Sequence, residues 1–445
     1  MSEGQFFSET ERQPFRPYPK YKDSGVEWLG KIPIGWTVIP LKRSFDVKLG
    51  KMLQNEPQSS EDSLEPYLRA ANISWNGAII NDVRHMWISA RERNTFALKP
   101  GDLLVSEGGD VGRSTIWHGE IQPCYYQNAI NRVRERRSDI IDYLYYWIYA
   151  LKNAAYIDML CSRATISHFT AEKVAALPVM LPSKEEQNAI ISFLNRETAK
   201  IDALIEKNER LIELLHEKRI ALINQAVTKG LNPDVPMKDS DVEWLGIIPA
   251  HWRTERNRWL FRVSDIRSKF GEEELLTVSH LTGVTRHSEK NVTMIEAESH
   301  EGYKICRAGE LVINTMWAWM GALGIASEEG MASPSYNVYV LITGFLNPRY
   351  YDYLCRVPVH VSELTKFSKG IWKSRLRLYP DEFYEITTSL PPKIEQERIA
   401  EFLDNEDSKV NVLVKTIGEA IDHLKEYRTA LISAAVTGKI DVRDA

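Results

Sequence analysis

KDSGVEWLGKIPIGW occupies residues 22–36 of this chain, and KDSDVEWLGIIPAHW occupies 238–252, identical at 11 of 15 positions. The duplication continues. LPSKEEQNAIISFLNRETAKID (181–202) returns as LPPKIEQERIAEFLDNEDSKVN (390–411), with 10 of 22 positions identical at an offset of 209. At the same offset RIALINQAVT (219–228) matches RTALISAAVT (428–437) at seven of ten positions. Between these blocks the copies diverge. GDLLVSEGGDVG (101–112) only echoes GELVINTMWAWMG (309–321), and the offset places Asn128 on Asn337. A period near 209 is far too long for a solenoid and marks the tandem duplication of a whole domain plus a helix. Ends that repeat would make the same contacts twice. Middles that differ would contact two different things.

The second block opens a helix. Residues 183–229 contain neither Gly nor Pro, and Ile201, Leu204, Asn208, Leu211, Leu215, Leu222 and Ala226 fall on a three-four seam. The other faces carry charge. At 1.5 Å per residue this predicts a rod of roughly 70 Å. In the second copy Val410, Leu413, Ile417, Ala420, Leu424, Leu431 and Ala435 take the same seam. Pro182 and Pro391–Pro392 stand at the starts, with Glu185, Glu186, Glu395 and Glu397 in the first turns, where the helix dipole favours anions. Gly230 and Gly438 stand at the ends. A lone amphipathic rod would expose its seam, so each helix is expected to pair with the other copy. An antiparallel pair, related by a pseudo-twofold axis, holds the variable domains apart. The plainer reading is two separate surface helices on two globular domains.

The variable regions, 37–180 and 253–389, alternate short apolar runs (102–106, 130–133, 311–314, 338–342) with turn residues and aromatic helical stretches such as DYLYYWIYAL (142–151). The fold class expected is α+β: two α/β domains in tandem, separated by two long antiparallel coiled-coil helices.

With 445 residues, 43% apolar and 26% charged, the chain has room for two or three domains and the balance of a globular protein. Cys124, Cys161, Cys306 and Cys355 lie far apart with no metal-ligand spacing, which suggests a reducing cytosol. The first 20 residues have no apolar core of the kind a signal peptide carries. The longest apolar run, 316–326, is too short for a membrane span. There is no phosphate-binding GxxxxGK[ST] loop, no GxGxxG, no HExxH, no GxSxG and no Asn/Asp-Pro-Pro-aromatic run. The glycines at 108, 109 and 112 read as a tight turn rather than an anion nest. Together these absences favour a binding protein over an enzyme.

Nucleic acid is the partner the basic clusters suggest. RVRERR supplies Arg132, Arg134, Arg136 and Arg137; KFSKGIWKSRLR supplies Lys366, Lys369, Lys373, Arg375 and Arg377, with Phe367 and Trp372 between them. SRATISHFT (162–170), at the corresponding place in the first copy, offers Arg163, Thr165, Ser167 and His168 for phosphate and base-edge contacts. Arg113, beside the glycine turn, Asn128 and Asn337 complete the candidate set. The bland alternative for RVRERR is a solvated strand end.

These repeats, the two LPxKxEQ…FL helix starts and the two ALI…AVT helix ends together resemble the specificity subunit of type I restriction–modification systems, over nearly the whole chain. The resemblance implies an N-terminal arm (1–17), a first target-recognition domain (18–180), a first spacer helix (181–230), a second target-recognition domain (231–389) and a second helix with a tail (390–445). It implies that each domain reads one half of a bipartite double-stranded DNA site. The helices would set the half-site spacing and dock two methyltransferase subunits, and two restriction subunits would join where present. Phage defence would be the role, in the cytoplasm and away from membrane. Such a chain carries no catalysis and no cofactor. S-adenosylmethionine belongs to the methyltransferase, and ATP and Mg to the restriction subunit. Two other classes compete: a coiled-coil assembly adaptor that does not read DNA, and an enzyme with an unrecognised site.

A net charge of −5, taken as a whole, opposes DNA binding. The deficit, however, lies in 230–252 (−3) and 392–437 (−3), while 37–180 is +1 and 253–389 is neutral. The acidic segments are those expected to face protein, so the subunit is expected to grip phosphate largely through its partners.

Overall fold

The computed structural model describes residues 15–136, 140–161, 168–280, 282–289, 299–342, 344–372 and 375–443. The chain forms two compact units: Met1–Lys207 with Glu419–Ala445, and Asn208–Gly418. The division cuts each long helix midway, so each unit holds one variable domain and half of both helices.

In the first unit a four-stranded sheet comprises β1 (Phe45–Leu49), β2 (Leu103–Ser106), β3 (Ser114–Ile116) and β4 (Ile130–Glu135), in the order β1–β4–β2–β3, antiparallel throughout. Helix α1 (Ile141–Asn153) follows. It buries Tyr143, Leu144, Trp147, Ile148 and Leu151, an inward face at helical spacing. The helix α2 (Lys184–Lys229) comes next. In the second unit β5 (Phe261–Ser264), β6 (Leu311–Asn314), β7 (Leu323–Ile325) and β8 (Tyr336–Leu341) repeat the order as β5–β8–β6–β7. Then come α3 (Pro348–Cys355) and the helix α4 (Lys393–Val436). The α+β class and the two long helices are as the sequence implies.

Pairing registers correct one alignment. Asn131 lies opposite Val105 and Asn337 opposite Ile313, and these partners hold the same place in β2 and β6. Asn337 therefore corresponds to Asn131, three residues after Asn128, because the loops inside the two domains differ in length.

The repeated motifs prove to be clamps between domain and helix. Gln187, the last residue of LPxKxEQ, is buried; its amide donates to the Pro182 carbonyl at 3.1 Å and its oxygen accepts from the Ile140 N–H at 3.3 Å. Gln396 repeats this, donating to the carbonyls of Phe345 and Pro391 at 2.8 Å and accepting from the Asn347 N–H at 2.7 Å. Tyr143 donates its hydroxyl to the Val436 carbonyl at 3.2 Å, and Tyr350 donates to that of Val227 at 3.0 Å. A buried amide or hydroxyl left without these partners would cost about 1–3 kcal/mol, which explains why both copies keep them. The lead-in repeats close over the helix ends. Trp36 and Trp252 are fully buried, beside Gly438 and Gly230 respectively. Gly438 has φ +69°, and a Cβ there would lie 2.5 Å from Pro33, so only glycine fits.

The helix seam follows a strict four-three alternation. Leu194, Thr198, Ile201, Ile205, Asn208, Ile212, Leu215, Arg219, Leu222 and Ala226 are buried or half-buried. So are Leu403, Asp407, Val410, Val414, Ile417, Ile421, Leu424, Arg428, Leu431 and Ala435, each 209 residues later. This spacing averages 3.5 residues, the coiled-coil period. Four expected seam members fall off it: Leu204 (49% exposed), Leu211 (43%), Leu413 (49%) and Ala420 are exposed. Each adjoins a second apolar residue, Ile205, Ile212, Val414 or Ile421, and it is the neighbour that turns inward. Arg428 pairs with Asp202 at 2.9 Å in the first unit, and Arg219 with Asp407 in the second, its Nη2 donating at 2.7 Å. Later residues of α2 thus meet earlier residues of α4, and the helices run antiparallel.

Candidate nucleic-acid interface

Each domain brings two loops together by the same backbone hydrogen bond. In the first unit β2 ends at Ser106, and the Phe169 N–H donates to the carbonyl of Glu107 at 2.9 Å. In the second β6 ends at Asn314, and the Leu378 N–H donates to the carbonyl of Thr315 at 3.1 Å. Phe169 and Leu378 are both buried and root their loops in the core. The scaffold is common to both sites; what it displays is not.

The first domain displays polar groups. After Ser106 the chain makes a tight turn in which Gly109 and Gly112 have φ +72° and +82°. A Cβ on Gly112 would come 2.9 Å from Ile157, and the Gly112 N–H is taken by the Ser106 carbonyl at 2.9 Å. Asp110 in this turn pairs with Lys152 at 3.0 Å and lies 3.8 Å from Arg113. A turn carrying its own carboxylate is not an anion nest, as the sequence suggested. Arg113 also donates to the Ala70 carbonyl at 3.2 Å. His168 is half-exposed with its ring 4.0 Å from Glu107, whose carboxyl burial holds above the usual range.

The arginines of RVRERR turn inward. Arg132 is 4% exposed and pairs with Asp46 at 2.6 Å. Arg134 holds Asp102 through two bonds of 2.5 and 2.6 Å, and Arg136 reaches Asp46 at 2.9 Å. Arg136, with Arg132 behind it, keeps the Asp46 carboxyl below its ordinary range. These charges are neutralised within the sheet, so we remove Arg132 and Arg134 from the interface; alternation along β4 placed them against acidic neighbours that are remote in sequence. Asn128 gives its backbone N–H to Lys51, and Asn337 accepts from the Lys304 ammonium at 2.9 Å. Arg163, Thr165, Ser167 and Lys373, with Arg137, lie outside the described residues.

The second domain displays aromatic and apolar groups. Trp317, half-exposed, stacks on Trp319 with ring centres 6.1 Å apart. Lys369 and Arg377 exchange backbone hydrogen bonds of 2.8 Å in both directions and close a loop. The loop turns at Gly370, where a Cβ would lie 2.6 Å from the Arg375 carbonyl oxygen. Ile371 (94% exposed) and Trp372 (68%) stand at its tip. Lys369 is paired with Glu382, and Lys366 with Glu243 at 2.9 Å, so two of the five cations are occupied. Arg375 and Arg377 make no ion pair among the described residues. Sequence reasoning found Trp372 and these arginines through their charge pattern; it passed over Trp317 and Ile371, which nothing in the one-dimensional pattern singles out.

Among the described residues no group of His, Cys, Asp and Glu could hold a metal ion, and no helix is long and apolar enough to cross a membrane. The four cysteines are buried and unpaired, and burial pushes the thiols of Cys124 and Cys306 up to about 12.

Comparison with known proteins accords with this geometry. Residues 33–214 match the family described as the type I restriction modification DNA specificity domain. The whole architecture has solved counterparts. A chain from work on complex assembly and conformational transition of the type I R-M system superposes with a TM-score of 0.60, at 16% identity, covering 91% of this chain and 98% of that one. The HsdS subunit from Thermoanaerobacter tengcongensis gives 0.54 at 14% identity, covering 92% and 98%. Residues 33–214, the first domain with its helix start, thus match a type I DNA specificity domain, and the chain as a whole shares the fold of the HsdS subunit.

Proposed function

We propose that the two domains read the two halves of one bipartite double-stranded DNA site and that the chain itself catalyses nothing. The observation that supports this is the repeated anchor. One hydrogen bond in each domain holds a pair of loops, polar in one and aromatic in the other, on a sheet of the same strand order. Conserving the scaffold while varying its loops gives two different specificities at one geometry. The helices would set the half-site gap. Their outward leucines, Leu204 and Leu211 on α2 and Leu413 on α4, are the apolar surface on which two methyltransferase subunits would dock. S-adenosylmethionine would be bound by those subunits, and ATP and Mg by two restriction subunits where these are present. The complex would act in the cytoplasm. Exchanging 253–389 for the corresponding region of another specificity subunit should change one half-site and leave the other intact. A change in both halves, or in neither, would contradict independent reading.

A further inference from the structure

Ile371 and Trp372 are adjacent, bulky, apolar and exposed, on a loop whose base is held by two hydrogen bonds and whose flank carries two cations that make no ion pair among the described residues. In water such an exposed apolar pair gains nothing for stability. The positions 209 earlier in the sequence are Ser162 and Arg163, both polar, so the tip is not required by the scaffold. The one apolar group that a base edge offers in the major groove is the 5-methyl of thymine.

We propose that the second domain recognises its half-site by apolar contact, with Ile371 and Trp372 packed against one or more thymine methyls. Arg375 and Arg377 hold the adjoining phosphates. This deepens the reading of the chain as a DNA specificity subunit and rests on it. It also gives the two domains different chemistries: hydrogen bonding in the first, methyl packing in the second. The second half-site must then contain thymine at a position that counts.

The test uses the full chain assembled with its methyltransferase, on duplexes carrying the mapped site. Each thymine of the second half-site is replaced in turn by deoxyuridine, which removes only the methyl. At one position or more the wild-type complex should bind about fourfold more weakly, the factor that one buried methyl-sized group corresponds to. The Ile371→Ser/Trp372→Ser double variant should no longer distinguish thymine from uracil at that position. If every replacement leaves binding unchanged, or the half-site has no thymine, the methyl contact is overturned while specific methylation by the wild type stands. If the double variant instead loses its methyltransferase, the tip is a protein-docking surface and the proposal fails. If the wild-type complex methylates without sequence preference, the underlying specificity reading fails with it.

Discussion

Substituting Ile201 and Leu204 separately by Ala distinguishes the observed helix seam from the one the leucine spacing suggests. Ile201 is 5% exposed and belongs to the first unit's core cluster; Leu204, three residues on, is 49% exposed. Ile→Ala removes three methyl or methylene groups, each worth about 0.8 kcal/mol when buried, or about 2.4 kcal/mol of transfer energy. The residual cavity raises this to about 3 kcal/mol, within the range of roughly 2–5 for such core truncations. Leu204 already shows half its surface to water, so Leu204→Ala forfeits about 1 kcal/mol at most, and the better helix propensity of Ala returns a few tenths. The assay is urea unfolding of the full chain followed by far-ultraviolet circular dichroism. A chain of two units need not unfold in one step, so the readout is the difference between two variants on one helix. A midpoint loss in Leu204→Ala as large as in Ile201→Ala would refute the assigned seam.

Replacing Arg375 and Arg377 together by Ala should weaken DNA binding by the assembled complex and reduce the slope of log K against log salt by about 1.8, two phosphate contacts at about 0.9 each; an unchanged slope would place these arginines off the DNA. His360 is fully buried, accepts no partner at Nε2 and shares its Nδ1 with the Cys355 carbonyl at 3.0 Å; burial pushes its pKa down to about 4. Because the folded state disfavours the protonated ring, stability is intact above the unfolded value of about 6.5 and should fall as pH drops from there towards 4, by an amount on the order of 3 kcal/mol. His360→Gln should flatten that dependence in thermal melts, and an equally steep loss in this variant would assign it to another group. Inserting seven residues at the midpoint of both α2 and α4 lengthens each helix by about 10 Å. The gap between half-sites should then widen by about three base pairs, at about 3.4 Å each, with the half-sites unchanged; methylome mapping that finds the old gap would exclude the helices as a ruler.

The architecture was legible because it repeats. Two copies of a motif such as LPxKxEQ are two measurements of one contact, and the clamps made by Gln187 and Gln396 account for why that motif persists. Helix phase was harder. Leu204–Ile205, Leu211–Ile212 and Leu413–Val414 each offer two apolar residues side by side, and hydrophobicity cannot choose between them; packing can. The interface was least legible. Arg132 and Arg134 look like a phosphate patch in one dimension, but Asp46 and Asp102 reach them only across the sheet. Conversely nothing in the one-dimensional pattern singles out Ile371 or Trp317, and only their exposure marks them as surface. Charge and hydropathy describe a residue; function here depends on which neighbours the fold supplies.

Two domains of one chain are proposed to read two separated DNA sequences. Modified-base sequencing of DNA from cells that express this chain with its methyltransferase, and lack other specificity subunits, measures this directly. Independent reading by the two domains predicts methylated bases within one asymmetric motif made of two specific halves and a gap of fixed length and arbitrary sequence. A single uninterrupted motif, or methylation without a motif, would contradict it.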